Sequence, residues 1–246
     1  MPIIYNVDQG SPEWFLIRQG IPTASEFSRL MTGANRQFSV AAHKYAAEKV
    51  AEIITGQQQG SDYVSDDMLM GNIIEQEAAE SYEFTNEVRT EKVGFVTDDE
   101  GRYGCSPDRF VGRWGIVEIK RKNPTDMVKF LIERRIDPAH IPQIQGNLLV
   151  TGRLWCDWHL YNENMPRLTI RTWRNERYIS DLRQDLDMFS KLIRAKLRAL
   201  AEADYIDLPE IAERAAAARV GIKGERIKEP RLDPEAIKIM EAAHAA

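Results

Sequence analysis

Apolar residues recur along this chain with two periods, which separate predicted helices from predicted strands. Spacing of three and four residues marks one face of a helix, whereas spacing of two marks one face of a strand. A short helix is predicted to begin at Pro12 after Ser11, and a second one is capped by Thr23 or Ser25. Longer helices are predicted over 39–55, 66–84, 139–150 and 177–203, with a further one that opens at Asn123-Pro124-Thr125.

The middle of the chain carries the period of strands. Predicted strands cover 87–96, 102–111, 114–120, 154–161 and 167–173. Gly112-Arg113 joins the second of these to the third, and residues 162–166 join the last two, so both pairs are predicted hairpins. The three tryptophans of the later hairpin are predicted to pack against the sheet rather than to stack on bases: Trp155, Trp158 and Trp173.

The first predicted hairpin carries polar residues that suggest chemistry. Glu118 and Lys120 lie two apart, so their side chains leave the same face of one strand. Asp108 lies ten positions before Glu118 on the antiparallel partner, within reach of it if the hairpin closes. Such a pattern is most often a ladder of surface ion pairs. Here the second strand is otherwise apolar, as a buried strand should be, and this favours a functional site.

Two carboxylates at the end of a buried strand form a hard oxygen site that suits Mg²⁺ or Mn²⁺. The backbone carbonyl of Ile119 is available as a further ligand. Lys120, beside the carboxylates, is placed to orient a water or to stabilise charge on a phosphoryl group. The pattern therefore predicts a site that hydrolyses phosphodiesters.

Other polar residues carry weaker signals. Glu75 follows Ile73-Ile74 beside an apolar stripe that includes Met70, so it is the acid of its helix predicted to face inward. Thr23 and Glu26 have the spacing of a capping box, and a helix N-terminus binds phosphate, although most such sequences are only caps. Gln143 and Gln145 point to different sides of one helix, so at most one of them faces the site.

Composition places limits on the domain organisation and the partner. The chain has 246 residues with 43% hydrophobic content, which predicts one domain over 1–204 that holds the candidate hydrolytic site, and a helical or partly disordered tail over 205–246. The net charge of −5 is not typical of a nucleic-acid-binding domain. Basic residues nevertheless cluster around the candidate site, where they either bind DNA or form solvated helix and strand ends: Arg109, Arg113, Lys120, Arg121, Lys122, Lys129, Arg134 and Arg135.

The cysteines and the hydropathy pattern suggest a protein of the cytoplasm. Cys105 and Cys156 are the two cysteines, and they are expected to be reduced. The histidines lack the spacing of a zinc site, and no apolar run of transmembrane length is visible. We therefore expect no membrane association and no structural zinc.

Five short motifs in order resemble those of the phage lambda exonuclease family, the YqaJ-type viral recombinase nucleases of the PD-(D/E)xK superfamily. The resemblance covers about the first 175 residues and includes a seven-residue step from Arg18 to Ser25 and a ten-residue step from Asp108 to Glu118. The motifs are Trp14…Arg18…Thr23-Ala24-Ser25-Glu26, Gly71…Glu75, Cys105-Ser106-Pro107-Asp108, Glu118-Ile119-Lys120 and Gln143-Ile144-Gln145.

The resemblance implies a restriction-endonuclease-like α/β core, in which helices flank a mixed central sheet. It implies that Asp108 and Glu118 bind two Mg²⁺ ions, for which Mn²⁺ is expected to substitute. The Ile119 carbonyl and Glu75 would add ligands, and Lys120 would hold the attacking water. The resemblance also implies a site for the 5′-terminal phosphate of DNA, formed by Arg18, Ser25, Ser106 and Gln143.

The activity implied by the resemblance is 5′-to-3′ digestion of one strand of linear double-stranded DNA. A homotrimeric ring would thread the DNA, and a single-strand annealing protein would receive the exposed 3′ strand. Such a protein would be encoded by a phage or prophage and would work in the cytoplasm of a bacterial host. Two alternatives remain from the residues: a PD-(D/E)xK endonuclease, and a non-catalytic protein that binds DNA ends.

Overall fold

The computed structural model describes residues 1–33, 35–59, 66–227 and 238, and of residues 66–74 only the backbone. The strands form two sheets. One has the order β4-β3-β1-β9, and the other, the central sheet, has the order β2-β5-β6-β7-β8. The strands are β1 (Ile3–Tyr5), β2 (Thr90–Lys92), β3 (Phe95–Thr97), β4 (Gly104–Cys105), β5 (Arg109–Val111), β6 (Gly115–Arg121), β7 (Trp155–Tyr161), β8 (Leu168–Trp173) and β9 (Gly224–Arg226).

Helices surround both sheets and agree closely with the predicted segments. Two short 3-10 helices, Ala24–Arg29 and Pro138–His140, precede longer helical segments. The α-helices are α1 (Pro12–Arg18), α2 (Val40–Thr55), α3 (Asp66–Asn86), α4 (Pro124–Glu133), α5 (Ile141–Thr151), α6 (Glu176–Glu202) and α7 (Leu208–Ala218).

The central sheet is mixed. β6 and β7 are parallel because α4 and α5 lie between them in the chain, whereas the other neighbours are antiparallel. On one face Val117 of β6 packs with Tyr82 of α3, and on the other Ile116 shares the main core with Ile144 and Leu148 of α5. The predicted α/β fold, a mixed sheet with flanking helices, is confirmed.

Two predicted strands are wrong as continuous elements. Segment 87–96 divides into β2 and β3, and segment 102–111 divides into β4 and β5, with one half of each in either sheet. Gly94 lies at the first break, where a Cβ atom would come within 2.3 Å of the carbonyl oxygen of Tyr5. Pro107 lies at the second break and has no N–H to donate to a ladder.

The two breaks are tied together by one side chain. Nε2 of Gln9 donates to the carbonyl oxygen of Val93 at 2.8 Å and to that of Pro107 at 3.0 Å. The loop 106–108, between β4 and β5, is thereby held next to the end of β2. This loop carries Asp108 out of the small sheet and into the central one.

Both predicted hairpins are present. Val111 pairs with Gly115, so the connection between β5 and β6 is one residue longer than predicted and includes Trp114. β7 and β8 pair from Trp155 with Trp173 to Leu160 with Leu168, and Trp158 is fully buried between the layers.

Most predicted helix ends are correct, with one exception. Ser11, Ser39 and Asn123 cap their helices, and Gly152 ends α5 with a positive φ of 70°. The capping box at Thr23 is wrong, because the segment that follows is a 3-10 helix and the Thr23 side chain makes no capping hydrogen bond. Glu26 instead pairs with Arg29 at 3.2 Å.

The start of the tail contacts the rest of the structure. β9 pairs with β1 in the small sheet, and Arg219, just after α7, donates to the carbonyls of Leu16 and Gln19 at 3.3 and 3.2 Å. Residues 228–246 other than 238, and the predicted stripe side chains of Met70, Ile73 and Ile74, lie outside the described residues. The domain division at 204 stays a prediction. Within the described ranges, no helix is both long and apolar enough to cross a membrane.

Candidate active site

Asp108 lies beside Glu118 because of the register in which β5 and β6 pair. The register pairs Arg109 with Val117, so Asp108, one residue earlier, is opposite Glu118, one residue later. Oδ2 of Asp108 accepts a hydrogen bond of 2.6 Å from the backbone N–H of Ile119, which fixes its position. Burial raises the pKa of Asp108 well above its ordinary value, and the charge of Glu118 raises it further. The structure therefore brings the two predicted carboxylates together.

Glu118 is 1% exposed, and three side chains donate to its carboxylate. Oε1 accepts from Nζ of Lys120 at 2.7 Å and from Nε2 of Gln143 at 2.5 Å. Oε2 accepts from Nδ2 of Asn147 at 2.9 Å. The charge of a buried carboxylate needs such donors, because it has lost its hydration.

Lys120 is the cation of this centre. Burial acts to lower the pKa of Lys120, but the charges of Glu118 and Asp108 outweigh it, and the pKa lies above the ordinary value. Its ammonium group is therefore protonated at neutral pH. It can stabilise an anion, or orient a water, at the place where the two carboxylates meet.

Glu75 of α3 enters the same site from another side. Both Glu75 and Asp108 line a cleft of about 620 Å³ that opens beside the first strand break, where Val93 and Gly94 also lie. Burial raises the pKa of Glu75, and Arg109 partly offsets the rise. The predicted inward orientation of Glu75 therefore agrees with its place in the cleft.

The oxygen atoms at this site fit a divalent ion. Ile119 directs its N–H to Asp108, and in an extended strand the carbonyl of the same residue leaves on the same edge. Among the described residues, no three His, Cys, Asp or Glu side chains form a ready-made metal cage. Mg²⁺ does not require one, since it is usually held by one or two carboxylates and completes its shell with waters and substrate phosphates.

A second polar cluster surrounds Arg18 at the end of α1. Its guanidinium carbon lies 3.8 Å from the ring centroid of Trp14, and its Nη2 donates weakly to Oγ1 of Thr23 at 3.5 Å. Burial lowers the pKa of Arg18 to about 10, and nearby acids offset this only in part. In the described part of the chain Arg18 makes no ion pair within 4 Å. A buried guanidinium without a paired carboxylate favours the binding of an anionic ligand.

Two other predicted phosphate-binding residues join this cluster, and one does not. Oγ of Ser25 lies 3.3 Å from Oγ1 of Thr23, next to Arg18. Oγ of Ser106 accepts from Nε1 of Trp14 at 2.9 Å, which leaves its own hydrogen free for another acceptor. Gln143 instead lies on Glu118, whereas Gln145 bonds the carbonyl of Trp173, so one amide of the pair faces the site as expected.

The predicted basic cluster divides between two faces of the sheet. Arg109 is 5% exposed and donates to Oε1 of Gln76 at 2.7 Å, on the side of α3. Lys122 and Lys129 both lie near the Phe130 ring of α4, with Nζ atoms 5.5 and 5.4 Å from its centroid. Burial of Arg109 removes it from any surface that contacts DNA directly.

Asn147 is a site residue that the sequence analysis missed. It lies four residues after Gln143, and this spacing places both amides on one face of α5. The spacing was visible in the sequence, but a polar residue within a helix ordinarily faces solvent. The packing of α5 against the central sheet is what turns this face towards Glu118.

The comparisons with known proteins agree with this fold. By its similarity to a viral recombinase family and to exonucleases of known structure, the protein belongs to the class of nucleases. The chain belongs to the family of the YqaJ-like viral recombinase domain, whose model matches residues 13–154. This confirms the resemblance to the lambda exonuclease family.

Solved structures of exonucleases share the fold. An alkaline exonuclease from Laribacter hongkongensis (LHK-Exo) is 26% identical, with a TM-score of 0.70 over 79% of this chain and 98% of that one. LHK-Exo in complex with dAMP gives 27% identity and the same TM-score and coverage. A phage-related exonuclease from Haemophilus somnus 129PT is 14% identical, with a TM-score of 0.58 over 73% of this chain and 96% of that one, and shows the fold alone. No curated protein matches the chain.

Proposed function

We propose that this protein is a Mg²⁺-dependent exonuclease that digests one strand of linear double-stranded DNA from its 5′ end. One observation carries the proposal: the loop 106–108 belongs to both polar clusters. Ser106 contacts Trp14 beside Arg18, and Asp108, two residues later, contacts β6 beside Glu118. An anion held at Arg18 would therefore lie at a set distance from the carboxylates, and a fixed distance from a strand end is what an exonuclease needs.

Each residue has a role in this proposal. Asp108, Glu118, the Ile119 carbonyl and Glu75 would hold the divalent ions. When bound, these ions supply a nucleophilic water at neutral pH and a Lewis acid for the phosphodiester. Lys120 orients the water and balances charge on the phosphate. Arg18, Ser25 and Ser106 bind the terminal phosphate, whereas Gln143 donates to Glu118 in the acidic centre.

Relatives support the substrate class. LHK-Exo has been crystallised with dAMP, a deoxynucleoside monophosphate, which is the kind of product that stepwise digestion of DNA releases. A homotrimeric ring and a single-strand annealing partner are proposed from the family, as is work within a bacterial host cell. The mass of the protein in solution, measured with and without residues 205–246, tests the trimer and the part that the tail has in it.

The test of the activity compares three DNA substrates in Mg²⁺: linear duplex with a 5′-phosphate, linear duplex with a 5′-hydroxyl, and a closed circle. We expect the first to be degraded fastest and the circle to stay intact. A Glu118→Gln variant is the control for a contaminating nuclease. Cleavage of the circle at a similar rate would favour the endonuclease, and tight binding of ends without degradation would favour the non-catalytic end binder.

A further inference from the structure

Glu118 is held by two amides from one helix. Gln143 donates to Oε1 at 2.5 Å and Asn147 donates to Oε2 at 2.9 Å, so each carboxylate oxygen has its own amide donor. The two residues are four apart on α5 and share a face of it. Together they fix the plane of the carboxylate, which a single donor would leave free to rotate.

The two amides differ in their surroundings. Gln143 lies near the start of α5 and is half-buried, within reach of solvent and substrate. Asn147 is 1% exposed, as is Glu118, so no water competes for this contact. Unlike Lys120, an amide is neutral. It orients the carboxylate without cancelling the charge that a divalent ion would need.

The helix that carries Asn147 is itself held firmly. Ile144 and Leu148 on α5 are fully buried in the main core. Gly146 packs so closely on the 3-10 helix Ala24–Arg29 that a Cβ atom would lie 2.6 Å from the ring of Phe27. Because α5 has little freedom to move, the Asn147 amide holds the Glu118 carboxylate in a fixed orientation.

We infer that Asn147 is a positioning residue, which sets the affinity of the acidic centre for a divalent ion through its hydrogen bond to Glu118. The inference rests on the proposed function, since it takes Glu118 to be a metal ligand. Groups that orient metal-binding carboxylates typically contribute about 10- to 100-fold to metal affinity or activity. Because Asn147 is 1% exposed and its amide donates to Glu118, its effect is on metal occupancy rather than on turnover of the loaded enzyme.

The chain offers a matched control on the same helix. Gln145 is 3% exposed, and its amide is also hydrogen-bonded: Nε2 donates to the carbonyl of Trp173, and Oε1 accepts from the N–H of Asn175. It points away from Glu118. Asn147→Leu and Gln145→Leu each remove one buried amide from α5, but only the first removes a donor from the carboxylate.

The experiment measures Mn²⁺ binding to the full-length protein without DNA, by the electron paramagnetic resonance signal of free Mn²⁺. We expect Asn147→Leu to raise the dissociation constant about 10- to 100-fold, and Gln145→Leu to leave it within about threefold of wild type. On linear duplex DNA, the half-saturating Mg²⁺ concentration should rise in parallel for Asn147→Leu, while kcat at saturating Mg²⁺ stays within about fivefold. Both variants should lower the melting temperature, and this separates lost stability from lost affinity.

The possible outcomes test the role of Asn147 separately from the proposed nuclease function. Wild-type Mn²⁺ affinity in Asn147→Leu, or equal losses in the two variants, would overturn the inference and leave the proposed function intact. Absence of Mn²⁺ binding by the wild type would overturn both. If Asn147→Leu does not fold, Asn147→Ala removes the same donor with a smaller side chain, and an unchanged affinity in that variant would also overturn the inference.

Discussion

Replacement of Arg18 by methionine tests the terminal-phosphate site quantitatively. The change keeps a long side chain on the Trp14 ring, where the guanidinium lies at 3.8 Å, but removes a charge that makes no ion pair within 4 Å in the described part of the chain. We therefore expect the Arg18→Met variant to lose little folding stability. A hydrogen bond from a charged donor contributes about 1.5–3 kcal/mol, so kcat/KM on 5′-phosphorylated ends should fall roughly 10- to 150-fold.

The assay is a comparison of initiation rates on two duplexes that differ only in the 5′ group. Arg18→Met should lower the rate on the phosphorylated end and leave the hydroxyl end almost unchanged, because only the phosphate needs the cation. Arg29→Met is the control, since Arg29 also lies over an aromatic ring but is already paired with Glu48 at 2.8 Å. Equal losses on both ends, or no preference for phosphate in the wild type, would refute the reasoning.

Three further predictions concern the centre, the core and the strand break. Lys120→Ala should lower turnover about 10²- to 10³-fold with Mn²⁺ and DNA affinity little changed, because the ammonium acts on water and phosphate. His159→Gln should flatten the acid dependence of stability. Burial lowers the pKa of His159 from 6.5 to about 4. Between these two pH values the histidine is protonated in the unfolded state and neutral in the folded state. The free energy of unfolding therefore falls by about 3 kcal/mol as the pH falls from 6.5 to 4. Gly94→Ala should destabilise the fold by about 1–3 kcal/mol, since its Cβ would overlap the carbonyl of Tyr5.

Each of these has its own check. For Lys120, single-turnover rates at saturating Mn²⁺ separate chemistry from binding, and a parallel loss of Mn²⁺ affinity would contradict the assigned role. For His159, urea unfolding at several pH values from 7.5 to 4 gives the slope of the unfolding free energy against pH. This slope should be steeper in the wild type than in His159→Gln. For Gly94, the control is Gly33→Ala, where, among the described residues, the nearest atom to a Cβ is Oδ1 of Asn35 at 3.8 Å. Equal stability of the two alanine variants would show that the strand break tolerates a side chain.

The elements were predictable from the sequence, but the path of the chain between the sheets was not. Local periodicity identifies 87–96 and 102–111 as extended, and each segment contains two short strands. Periodicity does not show that a strand changes its partner midway, because the partner is chosen by contacts distant in sequence, such as that of Tyr5 with Phe95. Pro107 and Gly94 were the available local signals, since neither residue suits the middle of a central strand.

The site residues that strand geometry positions were predictable from the sequence. The prediction was incomplete for the residue that helix packing positions. Period-2 spacing places Glu118 with Lys120, and the register of a hairpin places Asp108 with Glu118, so the acidic pair follows from sequence. The second amide on Glu118, Asn147, depends on which face of α5 meets the sheet. That orientation is fixed by tertiary contacts, for example that of Gly146 with Phe27, which spacing within one helix cannot specify.

We propose above all that Asp108, at the break between the two sheets, and Glu118, in β6, share a divalent ion. The most direct measurement is the anomalous difference density of a crystal soaked in Mn²⁺. We predict a peak in contact with carboxylate oxygens of both residues and with the carbonyl oxygen of Ile119. Density without a peak there, with Asp108 and Glu118 turned away from each other, would contradict the account.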